Sequence, residues 1–233
     1  TIKLNELFNI NSLGLLTKRD KFITDFDINS ILKRLEDFKN EEFSDEQLSS
    51  KYNLKLKDND KWNLNLARIS IQNEGIDIGK FKLQNYRCFD TRYVYYDENF
   101  VARLNIKVLG NFGSLKENYG LISTRQLAGN DFYHVFISDK ISDQCFISNK
   151  TKEGCQVFPL YLYPDDKGQL STDEKQERVP NLNKEIVAEI AQGLGLQFTS
   201  EKEDTANTFA PIDILDYIYA ILHSLAYREK YKE

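Results

Sequence analysis

FKLQNYRCFDTRYVYY, residues 81–96, decides the fold. Its two halves, FKLQNY and TRYVYY, are dense in aromatic and branched side chains, which suit a half-buried pleated surface. Residues 87–90 between them have the length of a connecting turn, so the stretch predicts a hairpin or a pair of neighbouring strands. Toward the C-terminus, further short strands are predicted over residues 119–125, 132–138, 144–148 and 157–163. After Pro164 the run PDDKGQLSTDEKQERVPN reads as an exposed, mobile loop. Ile186, Val187 and Ile190 then share one face of a helix over residues 183–192 that stops at Gly193. The last stretch, FAPIDILDYIYAILHSLAYREKYKE, reads as a final helix. Pro211 suits a first helical position, Asp213 and Asp216 sit near its positive end, and Arg228, Lys230 and Lys232 crowd its negative end. Ile214, Leu215, Ile218, Ile221, Leu222 and Leu225 recur at helical spacing, so one face must be covered.

Toward the N-terminus the pattern is again helical. KLKDND is a polar linker. Between Trp62 and Gly75 a helix is favoured over a strand. Ser44 with Gln47 forms a capping box ahead of Leu48. Asp27 caps a helix whose Ile28, Ile31, Leu32, Leu35 and Phe38 share a face. Residues 11–14, NSLG, look like a turn and are followed by a basic cluster of Lys18, Arg19 and Lys21. Helices, then strands, then helices predict an α+β fold: N-terminal helices, a central mostly antiparallel β region and C-terminal helices.

At 233 residues, 41% hydrophobic and 29% charged, the chain is long enough to bury a full core. No run approaches the ~18 consecutive apolar residues of a membrane span, and TIKLNELFNI has neither the basic region nor the apolar core of a signal peptide. The three cysteines, Cys88, Cys145 and Cys155, are scattered and odd in number, which predicts reduced thiols. Together these features predict a cytoplasmic protein. There is no Met, even at position 1, and the chain reads as a piece of a longer polypeptide. A net charge of −5 argues against sequence-blind nucleic-acid binding but leaves room for a local basic face.

Several chemistries are excluded by motif. None of the four prolines are adjacent, so the Asp/Asn-Pro-Pro-aromatic signature of adenine methyl transfer is absent. Gly79-Lys80 is followed by Phe81, so there is no phosphate-cradling loop. Gly193 and Gly195 follow a helix and read as a helix stop, not a dinucleotide fingerprint. His134, His223 and the cysteines lack zinc-site spacing. Cys88 beside Arg87 has no candidate base and reads as a half-buried strand position. Asp165-Asp166-Lys167 reads as a solvated turn. No catalytic constellation emerges.

Five blocks carry a family resemblance: YRCFDTRYVYYDE (86–98), NYGLISTRQ (118–126), HVFISDKISDQC (134–145), FPLYLY (158–163) and PIDILDYIYAILHSLAYREKYKE (211–233). In this order they resemble the C-terminal specificity region of single-chain type ISP restriction-modification enzymes and related adenine-specific DNA methyltransferases with fused nuclease and helicase parts. The opening NSLGLLTKRDKF is similar to the stretch that joins methyltransferase to recognition region. Two positions depart from the family, Cys88 and Leu225, where proline is common.

The resemblance implies a target recognition domain over residues 56–233, preceded by a mainly helical connecting segment, 1–55, after a methyltransferase domain; one continuous domain, 1–233, is the alternative. It implies double-stranded DNA and the intramolecular methyltransferase domain as partners, with no membrane. No cofactor is expected in this chain, while the parent would use S-adenosylmethionine and, with nuclease and helicase parts, ATP and Mg. Sequence would be read at base edges while other domains methylate or cleave. Candidate DNA contacts are Lys18, Arg19, Arg87, Arg92, Arg103, Lys107, Arg125, Gln126, Lys150 and Lys152. Arg grips guanine and Gln grips adenine with paired hydrogen bonds, which singles out Arg125 and Gln126. Arg87 and Arg92 could equally pair with Asp90 or Asp97 to lock the fold, and Lys150 and Lys152 could simply be solvated. A structural domain docking on the methyltransferase or motor parts is the competing role.

Overall fold

The computed structural model describes residues 2–59, 62–113, 116–128, 132, 134–151, 153–164 and 177–231. Lys152, Lys232, the Asp165-Asp166-Lys167 turn and most of the polar run after Pro164 lie outside them.

The N-terminal part holds α1 (Leu4–Leu7), β1 (Ser12–Leu13), α2 (Asp20–Ile23), β2 (Thr24–Asp25), α3 (Ile28–Lys39), α4 (Asp45–Tyr52) and α5 (Leu64–Glu74). Local chemistry sets these helix starts. The Asp27 carboxylate accepts from the Asn29 amide, and Ser44 and Gln47 form the reciprocal capping box. Asn63 caps α5, and Gly75, at φ 80°, ends it.

The central part holds β3 (Phe81–Arg87), β4 (Asp90–Tyr95), α6 (Ile106–Leu109), β5 (Gly120–Thr124), β6 (Phe136–Ser138), β7 (Ile141–Ser142), β8 (Cys155–Pro159) and β9 (Tyr161–Leu162). β3 and β4 form the predicted hairpin, in register from Phe81↔Tyr95 to Asn85↔Thr91 before a bulge. The predicted strand over 144–148 is absent: pairing ends near Asp143, where the Asp143 carboxylate accepts the Cys145 amide and turns the chain. β10 (Val179–Pro180) pairs with β9. The chain finishes with α7 (Lys184–Leu194), β11 (Gln197–Phe198), β12 (Thr208–Phe209), α8 (Pro211–His223) and α9 (Leu225–Lys230). α7 runs through Gly193 and stops at Gly195, which takes the left-handed conformation (φ 66°). The final helix is two helices. Ser224 is extended, ends α8 and caps α9 through its hydroxyl, so Leu225 occupies a first helical position, where proline is favoured.

Two sheets, ordered β1-β8-β5-β6 and β2-β4-β3-β7, are joined by the segment read as a turn. β1 pairs with β8, and two residues later Leu15 pairs in parallel with Asp143 beside β7. Gly14 sits at this seam: a Cβ there would lie 2.5 Å from the Ser142 carbonyl oxygen. Its glycine serves close backbone approach across a sheet, a long-range need that resembles a turn signal in sequence.

The core divides at β5 and β8. Leu121 pairs with Phe158 and Ile122 with Val157, and consecutive strand residues face opposite sides. Ile122 and Val157 join a cluster with Leu15, Phe22, Ile31, Leu35, Phe38, Leu48, Trp62, Ile71, Tyr95 and Phe100. Leu121 and Phe158 join a second with Leu7, Phe8, Leu182, Val187, Phe209, Ile214 and Leu215. Residues on both sides of position 55 therefore share the first core, and α7 and α8 cover the other face of the same sheet.

Candidate nucleic-acid interface

Strand direction gathers most of the predicted side chains. β3 and β7 are parallel, Leu15 is parallel to Asp143, β1 is antiparallel to β8, and β8 is antiparallel to β5. The C-terminal ends of β3, β7 and β5 and the N-terminal ends of β4 and β8 consequently lie at one end of a joined array. That end carries Arg87, Asp90, Arg92, Asp143, Gln144, Arg125 and Gln126, with Lys150 in the chain entering β8 and Lys18 just past the seam. Arg103 reaches it through its backbone pairing with Leu16 and its guanidinium on Gln144 at 3.5 Å.

At the hairpin, the two arginines are held by acids. Arg92 makes a two-pronged bond to Asp90, with Nε at 2.9 Å and Nη2 at 2.7 Å, and packs over the rings of Phe26 (4.4 Å) and Tyr86 (4.3 Å). The hydrogen bonds it donates to Asp90 raise its pKa further. Arg87 also lies over Tyr86 (3.8 Å) and donates to Asp143 at 2.8 Å. Asp143 is buried, and burial pushes its carboxyl up to about 6 in spite of the Arg87 guanidinium and the Cys145 amide. The Tyr86 hydroxyl donates to Asp20 at 2.8 Å; burial and that bond raise the phenol to about 12. Of the two predicted lock partners, Asp90 takes Arg92, while Asp97 takes Lys80 at 2.6 Å.

The turn between these arginines contains Cys88 and Phe89. Phe89 has φ 63° and is 103% exposed.

At the other side of the array, Arg125, Gln126 and Lys150 are exposed. Glu153, just ahead of β8, is buried and accepts the Ala128 amide at 2.8 Å and the Thr151 hydroxyl at 2.7 Å, bonds that hold it below the usual carboxylate range. They also tie the loop after β5 to the loop before β8. Two hollows flank this loop. One, of about 540 Å³, is lined by Gln126, Leu127, Ala128, Thr151 and Glu153. The other, of about 670 Å³, includes Asn5, Asn11, Ser123, Arg125 and Gln156. In it the Gln156 amide donates to Asn11, an arrangement sequence reasoning missed. The available signal was Gln156 itself, an amide inside the apolar strand CQVFP.

Two predicted contacts fall elsewhere. Arg19 is 6% exposed, lies over Trp62 (4.5 Å) and donates Nε to the Phe100 carbonyl at 2.9 Å, so it holds the core rather than facing outward. Lys107 is exposed on α6, which packs Val108 and Leu109 into the first core, and the strand pairings do not carry it to the shared end. The histidines are apart: His134 faces Glu153 at 3.9 Å, and His223 meets the Val135 carbonyl. Among the described residues no helix is long and apolar enough to cross a membrane.

Three solved structures share the fold. A cryoEM structure of a DrdV–DNA complex matches with TM-score 0.64 and 20% identity over 97% of this chain. The ATP-dependent Type ISP restriction-modification enzyme LlaBIII bound to DNA matches with TM-score 0.64 and 21% identity, also over 97%. A nuclease-deletion mutant of the Type ISP enzyme LlaGI, in complex with a DNA substrate mimic, matches with TM-score 0.58 and 16% identity over 99%. The chain spans 20%, 13% and 16% of those three chains, respectively. Among curated proteins nothing matches. Residues 6–233 match the family described as the Type ISP C-terminal specificity domain, and the chain belongs to that family.

Proposed function

We propose that this chain reads the sequence of duplex DNA for a larger restriction-modification protein, using the end of the joined strand array. The observation that carries the reading is the convergence there of Lys18, Arg87, Arg92, Arg103, Arg125, Gln126 and Lys150 from five separate parts of the chain. Exposed Arg and Gln side chains on loops suit base edges in the major groove, and Lys suits phosphates. Lys107 and Lys152 remain candidates for contacts to the DNA backbone. The chain contributes no catalytic group. Methyl transfer and cleavage, with S-adenosylmethionine, ATP and Mg, belong to the rest of the parent, whose methyltransferase domain is the intramolecular partner and whose setting is the cytoplasm.

Binding of the full chain to duplex DNA as a function of salt tests this. The expected result is preference for one sequence and a log–log salt slope set by the phosphates neutralised. Sequence-blind, salt-insensitive binding would overturn it. A second reading, a protein-docking role, is favoured by the exposed Tyr217, Leu225 and Tyr231 on α8 and beyond; it concerns a different surface, and both can hold.

A further inference from the structure

The hairpin tip breaks the chemistry its turn asks for. A residue at φ 63° is ordinarily Gly or Asn, because a Cβ crowds the backbone in the left-handed region, and a bulky aromatic there is uncommon. An aromatic ring also loses nothing by being buried, yet Phe89 is 103% exposed. Two unfavourable choices thus coincide at one residue, and such local violations collect at functional positions.

The support beneath the ring is stiff. Arg92 is clamped by Asp90 and seated on Phe26 and Tyr86, Arg87 is seated on Tyr86 and held by Asp143, and Tyr86 is anchored by Asp20. The tip is therefore held in one place before any partner arrives, which removes an ordering cost from binding.

The ring is also solitary. Its neighbours along the chain are the half-buried Cys88 and the polar Asp90 and Thr91; of the other exposed apolar side chains of the hairpin region, Leu83 lies further down β3 and Phe26 has the Arg92 guanidinium over its face. A protein contact of useful strength needs a continuous apolar surface of several hundred Å², which one ring does not supply. A single ring does match the slot opened between two stacked base pairs. Its position supports the same occupant, because it projects from the end of the array that carries Arg103, Arg125, Gln126 and Lys150.

We propose that Phe89 is a wedge that inserts into a base step of the duplex held at this end. The inference rests on the DNA-reading role above and adds to it a residue that deforms DNA instead of reading a base edge. The step it opens is a pyrimidine–purine step, since these unstack most easily. Sequence preference then arises at a position that no side chain hydrogen-bonds.

The test uses the full chain and short duplexes that it enriches from a random-sequence pool, with a fluorescent adenine analogue placed at each position in turn. The wild type should brighten the analogue at one step. Phe89→Gly should abolish the brightening and weaken binding about ten-fold, the scale of losing one base–aromatic stack. Phe89→Trp should keep both. Thermal unfolding of Phe89→Gly, expected to be no easier than wild type, separates lost insertion from lost folding. Enrichment of one sequence without brightening at any position, or unchanged binding and brightening by Phe89→Gly, would overturn the wedge and leave the reading role standing. Failure of the wild type to enrich any sequence would overturn the reading role and the wedge with it.

Discussion

The two sides of the array end handle positive charge in opposite ways. At the β3–β4 hairpin every guanidinium has a carboxylate and a ring: Arg92 with Asp90, Phe26 and Tyr86, and Arg87 with Asp143 and Tyr86. At the β5–β8 side, Arg125, Gln126 and Lys150 stand exposed while Glu153 spends its oxygens on the loop backbone and Thr151. Guanidiniums already committed to acids and rings are poor base readers, because each new bond must replace an old one. On the proposed reading, the hairpin positions the duplex and the β5–β8 loops choose the sequence.

Substitutions can break this contrast. The largest effect is expected for Arg87→Ala, which leaves Asp143 buried without its partner and should cost about 3 kcal/mol in urea unfolding at neutral pH. Arg125→Ala should change stability by less than ~0.5 kcal/mol; equal effects would erase the distinction. Next comes pH. Asp143 is raised from 3.8 to about 6 in the fold, so its stabilising contribution is full below pH 3.8 and is lost as the pH rises through about 6. That limb amounts to something on the order of 2 kcal/mol, and Asp143→Asn should flatten it in unfolding measured from pH 4 to 7. Phe89→Gly should stabilise the chain by about 1 kcal/mol, since glycine tolerates the tip conformation. The smallest stability effect, and a clear binding effect, belongs to the double change Arg125→Gln with Lys150→Gln. Unfolding should shift by less than ~0.5 kcal/mol, while the salt slope of DNA binding falls by about one through Lys150 and the sequence preference relaxes through Arg125.

What was legible in the sequence was local. Asp27, Ser44 and Asn183 cap helices through neighbours two or three residues away, and the 81–96 hairpin pairs with itself, so both follow from short windows. What escaped depended on distant partners. Gly14 looked like a turn glycine because its crowding neighbour is Ser142. Arg19 looked like a surface cation because its acceptor is the carbonyl of Phe100 and its ring belongs to Trp62. Asn11 and Gln156 gave no joint signal, being 145 positions apart. For the interface, the residue types were readable from the resemblance and from base-pairing chemistry, whereas their gathering at one end required the strand directions.

The seam at Gly14 has a metrical consequence. Because residues 12–15 hydrogen-bond to β8 on one side and to the β7 segment on the other, the hairpin and the β5 loop are parts of one rigid comb. From β3 to β5 there are four steps between neighbouring strands, each about 4.8 Å, which sets the teeth roughly 19 Å apart. At about 3.4 Å per base pair, that spacing corresponds to between five and six base pairs of duplex. On the proposed reading, a comb of fixed pitch can exchange its teeth, by changing the residues in its loops, without changing the length of the site it spans.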